Sequence, residues 1–374
     1  MIFKKLSLFN FKNFETLEID FNDGLNFFVG HNGAGKTNIL DALHYLSMTK
    51  SSINAIDSVN IRFNENLFLI KSKVEINKKK HFVSCSAQVG KKKEIRVDKK
   101  EHEKLSHHIG MFPLVMISPN DSDLIYDSNE VRRKFIDSAI SQSNHIYLQH
   151  LIAYNFALKN RNALLKQFNE HGKIDPLLLQ TYTTQLIENG KPIYQERKRY
   201  LSEFLELFNS HYNALQSQNE FVSIEFNSHF EQDNLEKQFN QTLPKDKLLQ
   251  RTNVGIHKDV FQFTLFDKPL KKHGSQGQQK SYLVALKLAQ YDILAQQKNL
   301  KPVLLLDDVF DKLDDERMHK LLQKVTDKKY GQLFITDARP ERTLSVIKEN
   351  QLIARIFEID KGTVIDIVEY EPKT

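Results

Sequence analysis

Eight consecutive residues, Gly30-His31-Asn32-Gly33-Ala34-Gly35-Lys36-Thr37, match G-x-x-x-x-G-K-[ST] at every fixed position. Each residue type answers a requirement of phosphate binding. Glycines let the backbone wrap closely around phosphate oxygens, and successive N–H groups form an anion nest. The helix entered at Asn38 adds partial positive charge at its start. Lys36 is expected to be an exposed cation reaching the β- and γ-phosphates of ATP, and the Thr37 hydroxyl to hold Mg²⁺. A chance glycine-rich turn is the competing reading.

Two further segments could complete such a site. Pro302-Val303-Leu304-Leu305-Leu306-Asp307-Asp308 reads as a buried parallel strand ending in two acids. Asp307 is expected to hold the Mg²⁺ water shell, and Asp308 to polarise the attacking water. Alone this is weak evidence, since many strands end in acids; paired with the phosphate loop it becomes strong. Gly274-Ser275-Gln276-Gly277-Gln278-Gln279-Lys280 opens a long helix carrying Leu283, Leu286, Ala289 and Ile293. Ser275, the Gly277 N–H and Gln278 then form a second anion site. With one end of a nucleotide already held, that site is expected to serve the γ-phosphate on another subunit. This is the arrangement of an ATP-binding-cassette signature. Phe310-Asp311-Lys312-Leu313-Asp314 looks like the loop that crosses the interface of such dimers.

Positioning these groups requires an α/β fold. Leu25-Asn26-Phe27-Phe28-Val29 reads as a buried strand before the loop, and Asn38 to Leu46 as a helix after it. Residues 2–29 read as strands, with Ile2, Lys4, Leu6 and Leu8 on one face and Leu17, Ile19 and Phe21 on another. Further strands are expected at 66–70, 81–85, 114–117, 221–226, 260–265 and 332–336. A hairpin is expected around Asp360-Lys361-Gly362. Between 122 and 218, apolar residues recur at helical spacing: Phe135, Ile136, Ile140; Leu151, Tyr154, Leu158; Leu201, Phe204, Leu205, Phe208. Asn189-Gly190-Lys191-Pro192 is expected to break these helices. The implied organisation is a head made of 1–121 and 219–374 with an all-helical insertion at 122–218.

Composition narrows the classes. At 374 residues the chain is long enough for roughly two or three domains. A net charge of +6 is compatible with a nucleic-acid partner and equally with a mildly basic enzyme. The single cysteine, Cys85, excludes an internal disulfide and a cysteine-built metal site, and a half-buried position is expected for it. A reducing cytosol fits. The first residues alternate with charge, unlike a signal peptide, and no apolar run approaches the ~20 residues of a membrane span. Lysine clusters at 78–80, 91–93 and 99–100 read either as solvated strand edges or as a phosphate-backbone surface. His102, His107 and His108 lack acidic partners for a metal site and are expected at the surface.

The chain resembles the RecF family, bacterial recombination mediator ATPases related to SMC heads. The resemblance runs from Leu6-Ser7-Leu8-Phe9-Asn10-Phe11-Lys12-Asn13-Phe14 to about Ala338. It includes Ser118-Pro119-Asn120-Asp121-Ser122-Asp123-Leu124, Arg132-Arg133-Lys134-Phe135-Ile136-Asp137, Arg161-Asn162-Ala163-Leu164-Leu165-Lys166 and Gly255-Ile256-His257-Lys258-Asp259. Where members usually carry Gly-Pro-His-Arg-Asp-Asp, this chain has Gly255 to Val260. It has Asn120 in place of an acid and Thr49-Lys50 in place of a His-Arg pair. The resemblance implies an ABC-type ATPase head with mixed sheets and a weak, DNA-stimulated ATPase that dimerises on ATP. It also implies DNA binding near single-strand gaps, cooperation with RecR and sometimes RecO in loading RecA, and roles in replication restart and the SOS response.

Two other classes compete. A structural tether of SMC type needs a long heptad arm, and the insertion here is too short. A transporter cassette normally carries its signature within about a hundred residues of the phosphate loop, whereas here a whole helical domain separates Lys36 from Ser275.

Overall fold

The computed structural model describes residues 1–173, 175–216, 220–309, 315–327 and 329–371. In chain order the elements are β1 (Ile2–Phe11), β2 (Phe14–Asp20), β3 (Leu25–Val29), α1 (Lys36–Met48), β4 (Leu67–Ile76), β5 (Lys79–Gln88), β6 (Glu94–Val97), β7 (Lys100–Glu101) and β8 (Leu114–Ile117). There follow α2 (Asp123–Tyr126), α3 (Asn129–Ser143), α4 (His145–His171), α5 (Pro176–Leu215), β9 (Val222–Asn227), α6 (Leu235–Leu249), β10 (Val260–Leu265), β11 (Lys268–Pro269) and α7 (Leu270–His273). The last stretch holds α8 (Gln276–Lys298), β12 (Val303–Leu306), α9 (Asp315–Val325), β13 (Leu333–Asp337), α10 (Pro340–Glu349), β14 (Ala354–Asp360) and β15 (Thr363–Tyr370). The interface-crossing loop expected at 310–314 lies outside the described residues.

The chain divides into two compact units. The first comprises Met1–Ser122, His211–Ser217 and Gln276–Thr374. It contains an antiparallel sheet of order β2-β1-β4-β5-β6-β7 and a mixed sheet of order β15-β14-β3-β13-β12-β8. In the mixed sheet β14, β3, β13, β12 and β8 run parallel, and only β15 is antiparallel. Continuous apolar runs such as Val303–Leu306 are what a strand buried on both faces demands.

Helix α1 lies between the two sheets. Its Ile39, Leu40, Leu43 and Leu46 join one core with Phe3, Leu6, Leu8, Phe68, Ile70 and Val83 of the antiparallel sheet. Phe28, Leu305, Phe334 and Phe357 of the parallel strands complete it. Phe21 meets Phe334 edge-on at 4.8 Å, a geometry worth about 0.5–1.5 kcal/mol beyond the burial itself.

A β-bulge between Phe3 and Lys5 corrects the expected face of β1. The extra residue shifts the alternation, so Phe3 rather than Ile2 and Lys4 joins Leu6 and Leu8 in the core. The buried Gln332 amide holds the bulge, accepting from the Phe3 N–H at 2.7 Å and donating to the Phe3 carbonyl at 2.8 Å. Cys85 is fully buried in the same core rather than half-buried. His108 is also buried, not at the surface; its Nε2 bonds the Leu46 carbonyl at 2.5 Å.

The second unit comprises Asp123–Ser210 and Gln218–Ser275. It is not all-helical and does not end at 218. It includes α6 and the three-stranded sheet β11-β10-β9, assigned to the head by sequence. The physical reason is local: Phe226 of β9 stacks on Phe261 of β10 at 4.8 Å and on Tyr194 of α5 at 5.9 Å. The Asn189–Pro192 stretch does not break the helix either, because α5 runs through Pro192. Gly190 instead permits close approach: a Cβ there would strike the Phe230 ring. A buried ion network ties this unit together, with Arg197 bridging Asp137 at 2.8 Å and Asp259 at 2.6 Å. Arg161 pairs with Asp246 at 2.8 Å.

Candidate active site

The end of β3 delivers the chain into the glycine-rich loop. Gly30 (φ 144) and Gly35 (φ 118) adopt backbone conformations that L side chains rarely take. Space forbids a side chain as well. A Cβ on Gly30 would strike the Ile359 carbonyl, and one on Gly35 would meet Asn13 and Phe14.

Three hydrogen bonds clamp the loop. Asn13 Nδ2 donates to the Ala34 carbonyl at 3.0 Å, Gly362 N–H donates to the same carbonyl at 2.9 Å, and Asn38 Nδ2 donates to Asn13 Oδ1 at 2.7 Å. The β1–β2 and β14–β15 hairpins therefore set the loop's shape. His31, Asn32 and Gly33 stay exposed at its tip.

Lys36 departs from expectation. It is 4 % exposed, and its ammonium donates to the carbonyls of Gly30 at 2.7 Å and His31 at 2.9 Å. The loop thus carries its own cation on the inside, held by the carbonyls that the glycines turn inward. Among the described residues, the N–H groups of Gly33, Lys36 and Thr37 donate no hydrogen bond. Unspent donors at a helix start, a fixed ammonium and no side chain in the way are what a nucleotide's phosphates need.

Parallel pairing of β12 beside β13 and β13 beside β3 sets the acids next to this loop. The Thr37 hydroxyl donates to Asp307 Oδ1 at 2.8 Å. Asp307 is buried, and that burial raises its carboxyl pKa, while hydrogen bonds from Thr37 and Thr336 oppose the rise. A hydroxyl and a carboxylate side by side are hard oxygen donors suited to Mg²⁺. Asp308 is half-buried with φ 45, a left-handed turn that swings it off the strand direction.

Thr336 escaped the sequence reading. Its hydroxyl donates to Asp307 Oδ1 at 2.9 Å and accepts from the Asp308 N–H at 2.8 Å, so one side chain orients both acids. The available signal was a polar residue ending the apolar run Leu333-Phe334-Ile335. Asn13 was also missed as a loop clamp.

The structure brings Gly30 to Asn38, Asp307 and Asp308 together. Ser275, in the second unit, immediately precedes α8, with Gly277 and Gln278 in that helix's first turn. A Cβ on Gly277 would strike the Arg317 guanidinium, so the helix start is backed by a cation. Among the lysine clusters, Lys78, Lys79, Lys80, Lys91, Lys92, Lys99 and Lys100 are exposed. Lys93 is not part of that surface, since it pairs with Asp57 at 2.9 Å and lies 5.0 Å over the Tyr45 ring. Arg132 and Arg133 are structural too. Arg132 donates to Leu124, Ile125 and Phe261 carbonyls, and Arg133 to the Asp259 carbonyl.

Residues 2–363 match the family model described as RecF/RecN/SMC N terminal domain. The DNA replication and repair protein RecF of Flavobacterium johnsoniae is 44 % identical over 359 residues, covering 96 % of this chain and all of that one. The RecF of Cytophaga hutchinsonii is 43 % identical over 97 % of this chain and 96 % of its own. A solved structure of the recombination mediator protein RecF-ATP in the RecFOR pathway superposes with a TM-score of 0.88 at 28 % identity, covering 99 % of this chain and 97 % of that one. The Smc head domain of Pyrococcus furiosus, at 16 % identity and TM-score 0.56, shares the fold. These matches span nearly the whole chain, both units included, and the chain belongs to the RecF family of ABC-type ATPase heads.

Proposed function

We propose that this chain is an ATP-dependent DNA-binding protein of recombinational repair that uses slow ATP hydrolysis as a switch. The observation that carries the proposal is the meeting of Lys36, Thr37 and Asp307, with Thr37 and Asp307 linked at 2.8 Å. Lys36 would hold the β- and γ-phosphates, the loop amides the remaining oxygens, and Thr37 with Asp307 the Mg²⁺. Bound Mg²⁺ supplies charge neutralisation at the transferring phosphate. Asp308, held by its amide to Thr336, is the candidate for orienting and polarising the attacking water.

The second step is assembly. Ser275, Gly277 and Gln278 at the start of α8 would grip the γ-phosphate on a partner copy, giving a twofold dimer that ATP closes and ADP releases. Full-length likeness to RecF supports DNA binding at gaps and junctions, cooperation with RecR and RecO upstream of RecA loading, and action in the bacterial cytoplasm.

Gel-shift binding to gapped, single-stranded and duplex DNA, with and without ATP, tests the reading. ATP should strengthen binding to at least one of these forms and also produce dimers. Dimers without DNA affinity would favour a different role for the head.

A further inference from the structure

The solvent face of the antiparallel sheet carries a recess of about 750 Å³ whose lining includes Lys5, Lys71, Lys73, Phe82, Arg96 and Lys99. The strand register explains its charge. Lys5 stands opposite Lys73, and Lys73 opposite Phe82; Lys71 stands opposite Ser84, and Ser84 opposite Arg96. Lys5 and Lys73 are like charges on directly opposed positions, and the Glu18 carboxylate paired with Lys5 also attracts Lys73.

Lys5 is tied to Glu18 on β2, and Arg96 to Glu94 at 2.8 Å. Among the described residues Lys71, Lys73 and Lys99 form no ion pair. The carboxylate that lines the recess, Asp98, is occupied by His81 at 2.8 Å and by the Phe82 N–H at 2.9 Å. On this inner strand the Phe82 side chain is 56 % exposed, with the Lys73 ammonium 5.8 Å from its ring centroid.

We propose that this recess binds single-stranded DNA, with Phe82 stacked on a base and Lys71, Lys73 and Lys99 on the flanking phosphates. The proposal rests on the DNA-binding reading above and adds the surface and the strand form. Charge complementarity selects a polyanion. The exposed ring, with the Lys73 ammonium to one side of it, selects a single strand, because bases inside a duplex have both faces stacked and offer none to Phe82. A recess of this size accepts a ligand of a few nucleotides.

The test is fluorescence anisotropy of labelled oligo(dT), and of a duplex of equal length, titrated with the full chain. Phe82→Ala should weaken oligo(dT) binding by roughly 5- to 150-fold, the range found for losing one aromatic–base stack. Duplex binding should be unchanged, and Phe82→Tyr should restore the single-strand affinity. Replacing Lys71, Lys73 and Lys99 by alanine should lower the salt slope on oligo(dT) by about 2. Unchanged oligo(dT) affinity in both variants, with melting temperatures like the parent's, overturns the recess while leaving DNA binding intact. Equal losses on duplex and single strand overturn the stacking. A parent chain that binds neither DNA overturns this proposal together with the reading beneath it.

Discussion

Thr37 and Asp307, 270 positions apart in sequence, are joined by a 2.8 Å hydrogen bond in which the hydroxyl donates to the carboxylate. Asp307 is buried, and the same oxygen accepts from Thr336. Asp307→Asn should therefore keep or raise the melting temperature, since it removes a buried charge and keeps a polar group. Mg²⁺-dependent hydrolysis should drop by at least about 100-fold, because loss of the metal's charge costs several kcal/mol at the transition state. Calorimetry beside a phosphate-release assay reads both. Unimpaired hydrolysis with a lowered melting temperature would make Asp307 structural only.

Lys36→Ala should abolish measurable ATP affinity. The buried carbonyls of Gly30 and His31 lose their donor, so a stability cost of about 1–3 kcal/mol is expected without loss of the fold. Circular dichroism and isothermal titration separate the two effects. Normal nucleotide binding by the folded variant would remove the phosphate-loop assignment.

Asp308→Asn should bind ATP as the parent does and hydrolyse it more slowly. Asparagine tolerates the left-handed backbone at this position, φ 45, so the fold should be unaffected. The parent itself should turn over well below the ~10 s⁻¹ of a median enzyme. A single-turnover assay decides, and an unaffected variant would move the water-polarising role elsewhere.

Burial lowers the pKa of His108 to about 4, against an ordinary 6.5. The unfolded chain therefore binds the extra proton first as pH falls. The His108 contribution is intact above about pH 6.5 and is lost progressively down to about 4. This difference is worth up to ~3 kcal/mol. His108→Gln should flatten the fall in melting temperature across that window. An identical pH profile would show that His108 does not carry it.

The loop, its strand and helix, the acidic strand and the terminal hairpin were legible because each is a contiguous pattern. What was missed depends on pairings between distant segments. The Phe3 bulge is held by Gln332, and α5 survives Pro192 while Gly190 accommodates Phe230. Thr336 acquires its role only when β13 lies beside β12. Helix α6, with Pro244 inside it, gave too weak a periodicity to be seen. Lys36 could be named from its motif, but its burial follows from carbonyls turned inward by Gly30.

In the proposed dimer ATP joins two copies through Ser275 of one and Lys36 of the other. Each site would gain a charge-assisted hydrogen bond of ~1.5–3 kcal/mol on the γ-phosphate, enough over two sites to shift dimerisation by a few powers of ten. The most direct measurement is light scattering of the parent, Ser275→Arg, Lys36→Ala and an equal mixture of the two variants, each with ATP and with ADP. Dimers are expected of the parent with ATP and not with ADP, none of either variant alone, and partial dimerisation of the mixture through its one intact composite site. Dimers of Ser275→Arg alone at the parent's level would contradict this arrangement.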